Sequence, residues 1–173
     1  MKTIRLEAFT PAHFAELIAW IPDAEFLHQF AGPDWHFPLD AMQLQKDLDD
    51  PLRHMYRLVS LPDNKGIGHA QLLRMADGQS ARLCRLLIAD AAYRGKGLGS
   101  AMLRELLQVC FREWQLSYVG LNVYEYNTGA LQCYRNAGFT EKDRWTVQNP
   151  EGVVCVCLHM QLPRETWEAD PEK

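Results

Sequence analysis

Between Ile88 and Ser100 the chain reads Ile-Ala-Asp-Ala-Ala-Tyr-Arg-Gly-Lys-Gly-Leu-Gly-Ser. An apolar run, Arg82 to Ala89, predicts a strand that ends there. The spacing of Leu103, Leu106, Leu107, Cys110 and Trp114 predicts a helix that begins just after it. Three alternating glycines join the two. Glycine lets a backbone curl tightly and approach a ligand without a Cβ in the way. The first N–H groups of a helix lack internal partners and carry the positive end of its dipole. A strand, glycine loop and helix in this order therefore suit a phosphate or pyrophosphate. Arg94 and Lys96 add positive charge at the same place.

Two common phosphate loops do not fit. A P-loop requires G-x-x-x-x-G-K-[ST], which is absent. A Rossmann loop requires G-x-G-x-x-G. Leu103 follows Gly97-x-Gly99 where glycine is needed, and Ser100 follows Gly95-x-Gly97.

The elements around the loop define a mixed α+β domain. Residues 2 to 8 predict a strand. Thr10-Pro11 marks a helix start, with an apolar stripe at Phe14, Leu17 and Ile18. Residues 21 to 38 predict a short helix and a loop, and Ala41, Leu44 and Leu48 a further helix. Strands follow at 54 to 61, 67 to 74 and 82 to 89, separated by the turns Pro62 to Gly66 and Asp77-Gly78. Such short connections predict antiparallel neighbours. After the glycine loop and its helix, Val119, Leu121 and Val123 alternate along a strand at 116 to 124. A helix between two strands makes a local βαβ unit with a parallel pair. A helix at about 128 to 137 and strands at 140 to 147 and 153 to 160 close the fold. Residues 1 to 163 read as a single domain and 164 to 173 as a polar tail.

Composition excludes several classes. Of 173 residues, 47% are hydrophobic and 23% charged, enough apolar material for a core. Eighteen Lys and Arg against 22 Asp and Glu give a net charge of −4, without the basic footprint of a nucleic-acid binder. No apolar run is long enough to span a membrane, and the N-terminus lacks the continuous apolar core of a signal peptide. The five cysteines form no C-x-x-C pair and read as reduced, buried residues of a cytoplasmic protein. The six histidines show no metal-ligand spacing, so no metal is expected.

A second segment narrows the reading. Leu121-Asn122-Val123-Tyr124-Glu125-Tyr126-Asn127 is followed by a helix carrying Ala130 and Tyr134, and Gly138-Phe139 closes it. Together with Arg94-Gly95-Lys96-Gly97-Leu98-Gly99, it resembles the two main motifs of the Gcn5-related N-acetyltransferase (GNAT) superfamily. The resemblance covers about residues 82 to 140; one departure is Ala91-Ala92, where many members have proline. It implies a central six- to seven-stranded, mostly antiparallel sheet with a splayed parallel pair at strands 4 and 5, flanked by about four helices.

The resemblance also implies acetyl-CoA as co-substrate and direct transfer to a primary amine in a ternary complex. Backbone amides from Arg94 through Gly95, Lys96, Gly97, Leu98 and Gly99 to Ser100 would hold the pyrophosphate. Leu86, Leu87 and Ile88 would pair with the pantetheine arm, and Asn127 would support it. A backbone N–H there would stabilise the developing oxyanion. Tyr134 is the expected general acid for the leaving sulfur. Glu125 is the first candidate base, with Asp34, His36 or a water relay as alternatives. Phe26, Phe30 and Trp35, with Asp34 and His36, would shape the acceptor site, and Glu25 would help attract an amine. A covalent route through Cys110 or Cys133 ranks below direct transfer, because both lie among apolar neighbours. The acceptor is a small molecule or peptide, and the protein a monomer or homodimer. Two alternatives stay open: a CoA-binding sensor that performs no transfer, and a nucleotide-binding protein.

Overall fold

The computed structural model describes residues 3–149 and 151–169. Among the described residues there are seven strands: β1 (Ile4–Ala8), β2 (Arg53–Ser60), β3 (Lys65–Arg74), β4 (Ser80–Ile88), β5 (Tyr118–Tyr124), β6 (Thr140–Gln148) and β7 (Val154–Pro163). Six helices accompany them: α1 (Phe14–Ala19), α2 (Ala24–Ala31), α3 (Ala41–Leu48), α4 (Leu98–Gln108), α5 (Thr128–Asn136) and α6 (Arg164–Glu168). The strands hydrogen-bond in the order β1-β2-β3-β4-β5-β7-β6. The sheet is thus mixed, with the expected parallel β4–β5 pair. The chain divides into two compact units: Met1–Leu73 with Cys84–Met102, and Arg74–Leu83 with Leu103–Lys173.

In the first unit, β1 pairs antiparallel with β2, and β2 with β3. The backbone bond from Ala89 N–H to the Ile67 carbonyl continues the antiparallel arrangement from β3 to β4. The helices start where the sequence supplies caps. Asp23 accepts from the Phe26 N–H at 2.8 Å ahead of α2, and Asp40 from the Gln43 N–H at 2.9 Å ahead of α3. Phe14, Leu17, Leu27, Leu44, Met55 and Leu87 share one apolar core.

In the second unit, β5 is central to its strands. Ser80 to Leu83 pair in parallel with Tyr118 to Leu121, and β7 pairs antiparallel along the whole of β5. Val119, Leu121 and Val123 are all buried, as their alternation predicts. On α4, Leu103, Leu106 and Leu107 are at most 1% exposed. The helix ends in a π-turn at Val109–Glu113, which also buries Cys110 and Phe111.

Two sequence expectations need correction. Six helices replace about four. Residues 164 to 168 are not a polar tail: they form α6, and Trp167 is 3% exposed. Its ring centroid lies 5.1 Å from that of Phe111, and Arg164 Nη2 donates to the Phe111 carbonyl at 2.6 Å. One large aromatic anchors a segment whose other side chains are polar. The remainder of the expected tail, 170 to 173, lies outside the described residues, as does Lys2 of the expected first strand.

Candidate active site

The glycine loop is held from several sides within the first unit. Asp90 caps the turn Ala91–Tyr93 by accepting from the Ala92 N–H at 2.8 Å. Tyr93 donates its hydroxyl to Asp63 at 2.6 Å, and Lys65 pairs with Asp90 at 3.4 Å. Arg94 Nε and Nη2 donate to the carbonyls of Ile88 and Ala89 at 3.1 and 3.2 Å. The arginine expected to add charge for a phosphate therefore also ties the loop to the end of β4. Lys96 Nζ lies 5.9 Å from the Tyr93 ring centroid.

Gly95 and Gly97 take φ of +71° and +74°, and a Cβ at either would meet nothing within 4 Å. These positions need glycine for backbone conformation, and the space beside them is open for a ligand. Leu98 then begins α4. A β-branched residue at such φ is a steric outlier. Gly97→Val is expected to raise the dissociation constant for CoA by roughly ten- to a hundredfold, as strain of about 1–3 kcal/mol falls on the binding conformation. Calorimetric titration with CoA checks this; unchanged affinity in a folded variant removes the loop from the pyrophosphate site.

The strand before the loop has the predicted shape, with one difference. The paired register of β4 with β5 ends at Leu83 and Leu121. Two residues later, Arg85 has φ of +51°, an αL conformation that non-glycine residues rarely adopt inside a strand. Ala89 N–H bonds to β3, and a Cβ on Gly68 would collide with the Leu87 carbonyl oxygen. Residues 87 and 89 thus direct backbone groups toward β3, and alternation turns those of Leu86 and Ile88 to the other edge. The Ile88 carbonyl is already taken by Arg94. Of the expected trio, Leu86 and the Ile88 N–H thus face the edge away from β3.

The second unit carries the other motif. Asn127 caps α5, its Oδ1 accepting from the Ala130 N–H at 3.3 Å. Tyr134 lies seven residues on, along the same helical face, half-buried and with its ring centroid 6.0 Å from that of Phe139. Glu125 is about half exposed and pairs with Arg144 at 3.4 Å. Arg144 also holds Glu141 at 2.7 Å. Exposed pairs of this kind contribute little, so the Glu125 carboxylate remains accessible. Burial and Glu113 push the Cys110 thiol up to about 12, which argues against Cys110 as a nucleophile. A recess of about 100 Å³ in this unit, lined by Asp77, Arg82, Tyr118, His159 and Gln161 among others, holds none of the predicted residues.

The predicted acceptor residues divide. Trp35 is 4% exposed and belongs to the core of the first unit, and Phe26 and Phe30 pack half-buried against that core. Asp34 and His36 are exposed. Trp35 is nevertheless no plain apolar residue. Its Nε1 donates to Asp47 Oδ2 at 3.1 Å, and the Arg85 guanidinium lies 4.0 Å from its ring centroid. Arg85 donates to Asp47, to Gln71 Oε1 at 2.6 Å and to Asp34 Oδ2 at 3.3 Å. Gln71 then meets His69 Nε2 at 3.4 Å. Sequence reasoning missed this cluster. Its signal was a lone arginine inside the apolar run Leu83-Cys-Arg-Leu-Leu-Ile88.

His69 is fully buried against Phe9, at 4.7 Å between ring centroids, and its Nδ1 has no partner. Burial, helped by the Arg85 charge, lowers its pKa to about 3. The folded protein thus keeps His69 neutral where the unfolded chain protonates it. Between about pH 6.5 and pH 3 the unfolded state binds more protons, so stability falls on acidification, by about 1.4 kcal/mol per pH unit from this group. Denaturant unfolding across that range should show the slope in the wild type and a flatter one in His69→Phe. Equal slopes would mean that the histidine titrates alike in both states.

The model of the acetyltransferase (GNAT) family matches residues 16–139. The chain belongs to that family. It is 33% identical over 178 residues to "Aminoglycoside N(6')-acetyltransferase type 1" of Klebsiella pneumoniae, covering 96% of this chain and 86% of that protein. It is 32% identical over 81 residues to a kanamycin resistance protein of Rhizobium radiobacter, covering 47% of this chain and 70% of that protein. Among solved structures, spermidine N-acetyltransferase from Vibrio cholerae in complex with CoA and spermine superposes with a TM-score of 0.82 at 16% identity, covering 97% of this chain and 99% of that one. Aminoglycoside acetyltransferase AAC(6')-Ib with CoA and kanamycin gives 0.73 at 22% identity, covering 96% and 98%. These structures share the fold. The chain is therefore a GNAT-type acyltransferase. Among the described residues, no helix is long and apolar enough to cross a membrane.

Proposed function

We propose that this acyltransferase moves an acetyl group from acetyl-CoA to a primary amine of a small molecule, by direct attack in a ternary complex. The observation that supports the reading is that one family match contains both motifs, a positive-φ glycine loop and a helix capped by Asn127 that carries Tyr134. Relatives named for aminoglycosides make polyamino sugars the first acceptors to try, and the spermine complex of a fold neighbour adds polyamines.

Each step assigns work to named groups. The amides from Gly95 to Ser100 hold the pyrophosphate. Leu86 and the Ile88 N–H pair with the pantetheine arm, and Asn127 supports it. The neutral amine attacks the thioester carbonyl, and a backbone N–H of β4 stabilises the oxyanion. Collapse of the adduct breaks the C–S bond, and Tyr134 gives its proton to the departing thiolate. Glu125 takes the amine proton through a water molecule. An alkylamine of pKa about 10.4 is almost wholly protonated at pH 7, so a base matters most for that class. Five free cysteines suit a reducing compartment, and we place the protein in the cytoplasm, as a monomer or homodimer.

The test is thiol release from acetyl-CoA against a panel of aminoglycosides, polyamines, alkylamines and α-amines. At least one class should turn over. In Glu125→Gln, alkylamines should lose more rate than α-amines. Tight CoA binding without thiol release for any amine would replace the enzyme by a CoA-binding sensor.

A further inference from the structure

We infer that Arg85 is a positioning residue for acyl transfer: its buried, clamped side chain holds the kink in β4 that turns the backbone groups of Leu86 and Ile88 away from β3 and toward the acyl donor. The inference rests on the acetyltransferase reading above.

The kink changes which way β4 faces. In a regular strand, successive residues direct their N–H and C=O groups to alternate edges. Early in β4 the Ser80 carbonyl accepts from the Met75 N–H, on the β3 side. The carbonyl of its neighbour Gln79 accepts from the Ser117 N–H, on the other side. At the far end, Ala89 is the residue whose N–H reaches the Ile67 carbonyl of β3. Ser80 and Ala89 are an odd number of residues apart, so the alternation slips by one residue between them. Arg85, with φ of +51°, lies between the two and is the site of the slip. In an unslipped strand Leu86 and Ile88 would face β3 and Leu87 the free edge. The slip leaves Leu86 and the Ile88 N–H for a ligand, just ahead of the loop whose Arg94 holds the Ile88 carbonyl.

Arginine does not favour this backbone conformation by itself. A Cβ meets a steric penalty in αL that glycine avoids. Such a residue persists where its surroundings over-determine it. The Arg85 side chain is 2% exposed and is gripped from several elements. Its Nη1 donates to Asp47 and to Gln71 Oε1 at 2.6 Å, and its guanidinium stacks 4.0 Å from the Trp35 ring centroid. The partners are fixed in turn. Asp47 accepts from Trp35 Nε1 at 3.1 Å and lies 3.7 Å from Arg53 Nε. Gln71 has its Oε1 taken by Arg85, so its Nε2 donates to His69 Nε2 at 3.4 Å. A cation buried in this way is out of reach of a ligand and acts through the backbone it holds.

The experiment compares CoA with 3′-phospho-ADP, its nucleotide half, by calorimetry, and follows thiol release with the best amine of the panel. The glycine loop would bind both ligands; only CoA carries the arm that Leu86 and Ile88 would pair with. The wild type should bind CoA more tightly by about tenfold or more. Arg85→Ala removes the clamp and disfavours the kink. It should lose most of that preference with 3′-phospho-ADP affinity unchanged, and kcat should fall by about a hundredfold, the scale of a misplaced reacting group. Arg85→Gly removes the same contacts and leaves a larger cavity, yet takes αL freely, so it should recover part of both losses. In a role confined to packing, glycine does no better than alanine, and that result overturns the proposal. A preference that survives Arg85→Ala overturns it too, as does an equal loss for both ligands. If the Arg85 variants do not fold, Asp47→Asn decides. It keeps the shape and drops the charge that grips Arg85, so the CoA preference should fall to an intermediate value; an unchanged preference overturns the clamp. Loss of preference in the variants, with no thiol release even by the wild type, would sink the transferase reading and keep the clamp within a CoA-binding site. Thiol release by a wild type that binds CoA and 3′-phospho-ADP equally would do the reverse.

Discussion

Tyr134→Phe is expected to lower kcat by roughly 10²- to 10⁴-fold while leaving acetyl-CoA affinity nearly unchanged. The substitution removes one hydroxyl and almost no volume. The half-buried ring would keep its packing near Phe139, and α5 would keep its Asn127 cap. Only the proton offered to the leaving thiolate would be missing, so the loss should fall on turnover and spare binding. Stopped-flow acetylation with the best acceptor of the panel, alongside calorimetry with acetyl-CoA, separates the two quantities. Near-normal turnover would reduce Tyr134 to a packing residue and leave protonation of the sulfur to solvent. A parallel loss of affinity would mean that the hydroxyl holds the cofactor in its ground state.

The second large effect is on stability. Trp167→Ala should destabilise the protein by about 3–5 kcal/mol, the usual range for deleting a buried aromatic. Trp167 is 3% exposed, packs on Phe111 and lies under the Arg112 guanidinium, 5.5 Å from the ring centroid. Removing it opens a cavity beside the π-turn that ends the α4 segment. Equilibrium unfolding in urea measures the change. A loss below about 1 kcal/mol, the range of ordinary surface substitutions, would return residues 164–168 to the tail that their polarity suggests.

The contrast between these two residues shows what the sequence could reveal. The placement of Tyr134 on α5 was legible because its neighbours in sequence are also its structural context: a strand, a capping asparagine, a helical repeat and a closing glycine all lie within about twenty residues. The glycine loop was legible for the same reason. Trp167 was not, since one apolar residue among Arg164, Glu165, Thr166 and Glu168 has no periodicity to read. The Arg85 cluster was hidden by distance along the chain. Its partners Gln71, Asp47 and Asp34 stand 14, 38 and 51 residues away. An arginine in an apolar strand announces that a partner exists without naming it. Trp35 was read as a pocket wall because aromatic content alone does not distinguish a ligand-facing ring from one that packs in the core.

The fastening of the glycine loop has a thermodynamic consequence. Arg94, Asp90 and Tyr93 already hold the backbone of residues 88–94 through side-chain bonds. An anion arriving at the amides of Gly95 to Ser100 finds the segment that leads into them already formed and does not have to order it. Each immobilised side chain would otherwise cost about 0.5–1.5 kcal/mol on association. The entropy of shaping this segment was surrendered when the chain folded, so CoA should dock as to a rigid body, with a heat-capacity change that reflects only the surface the ligand covers.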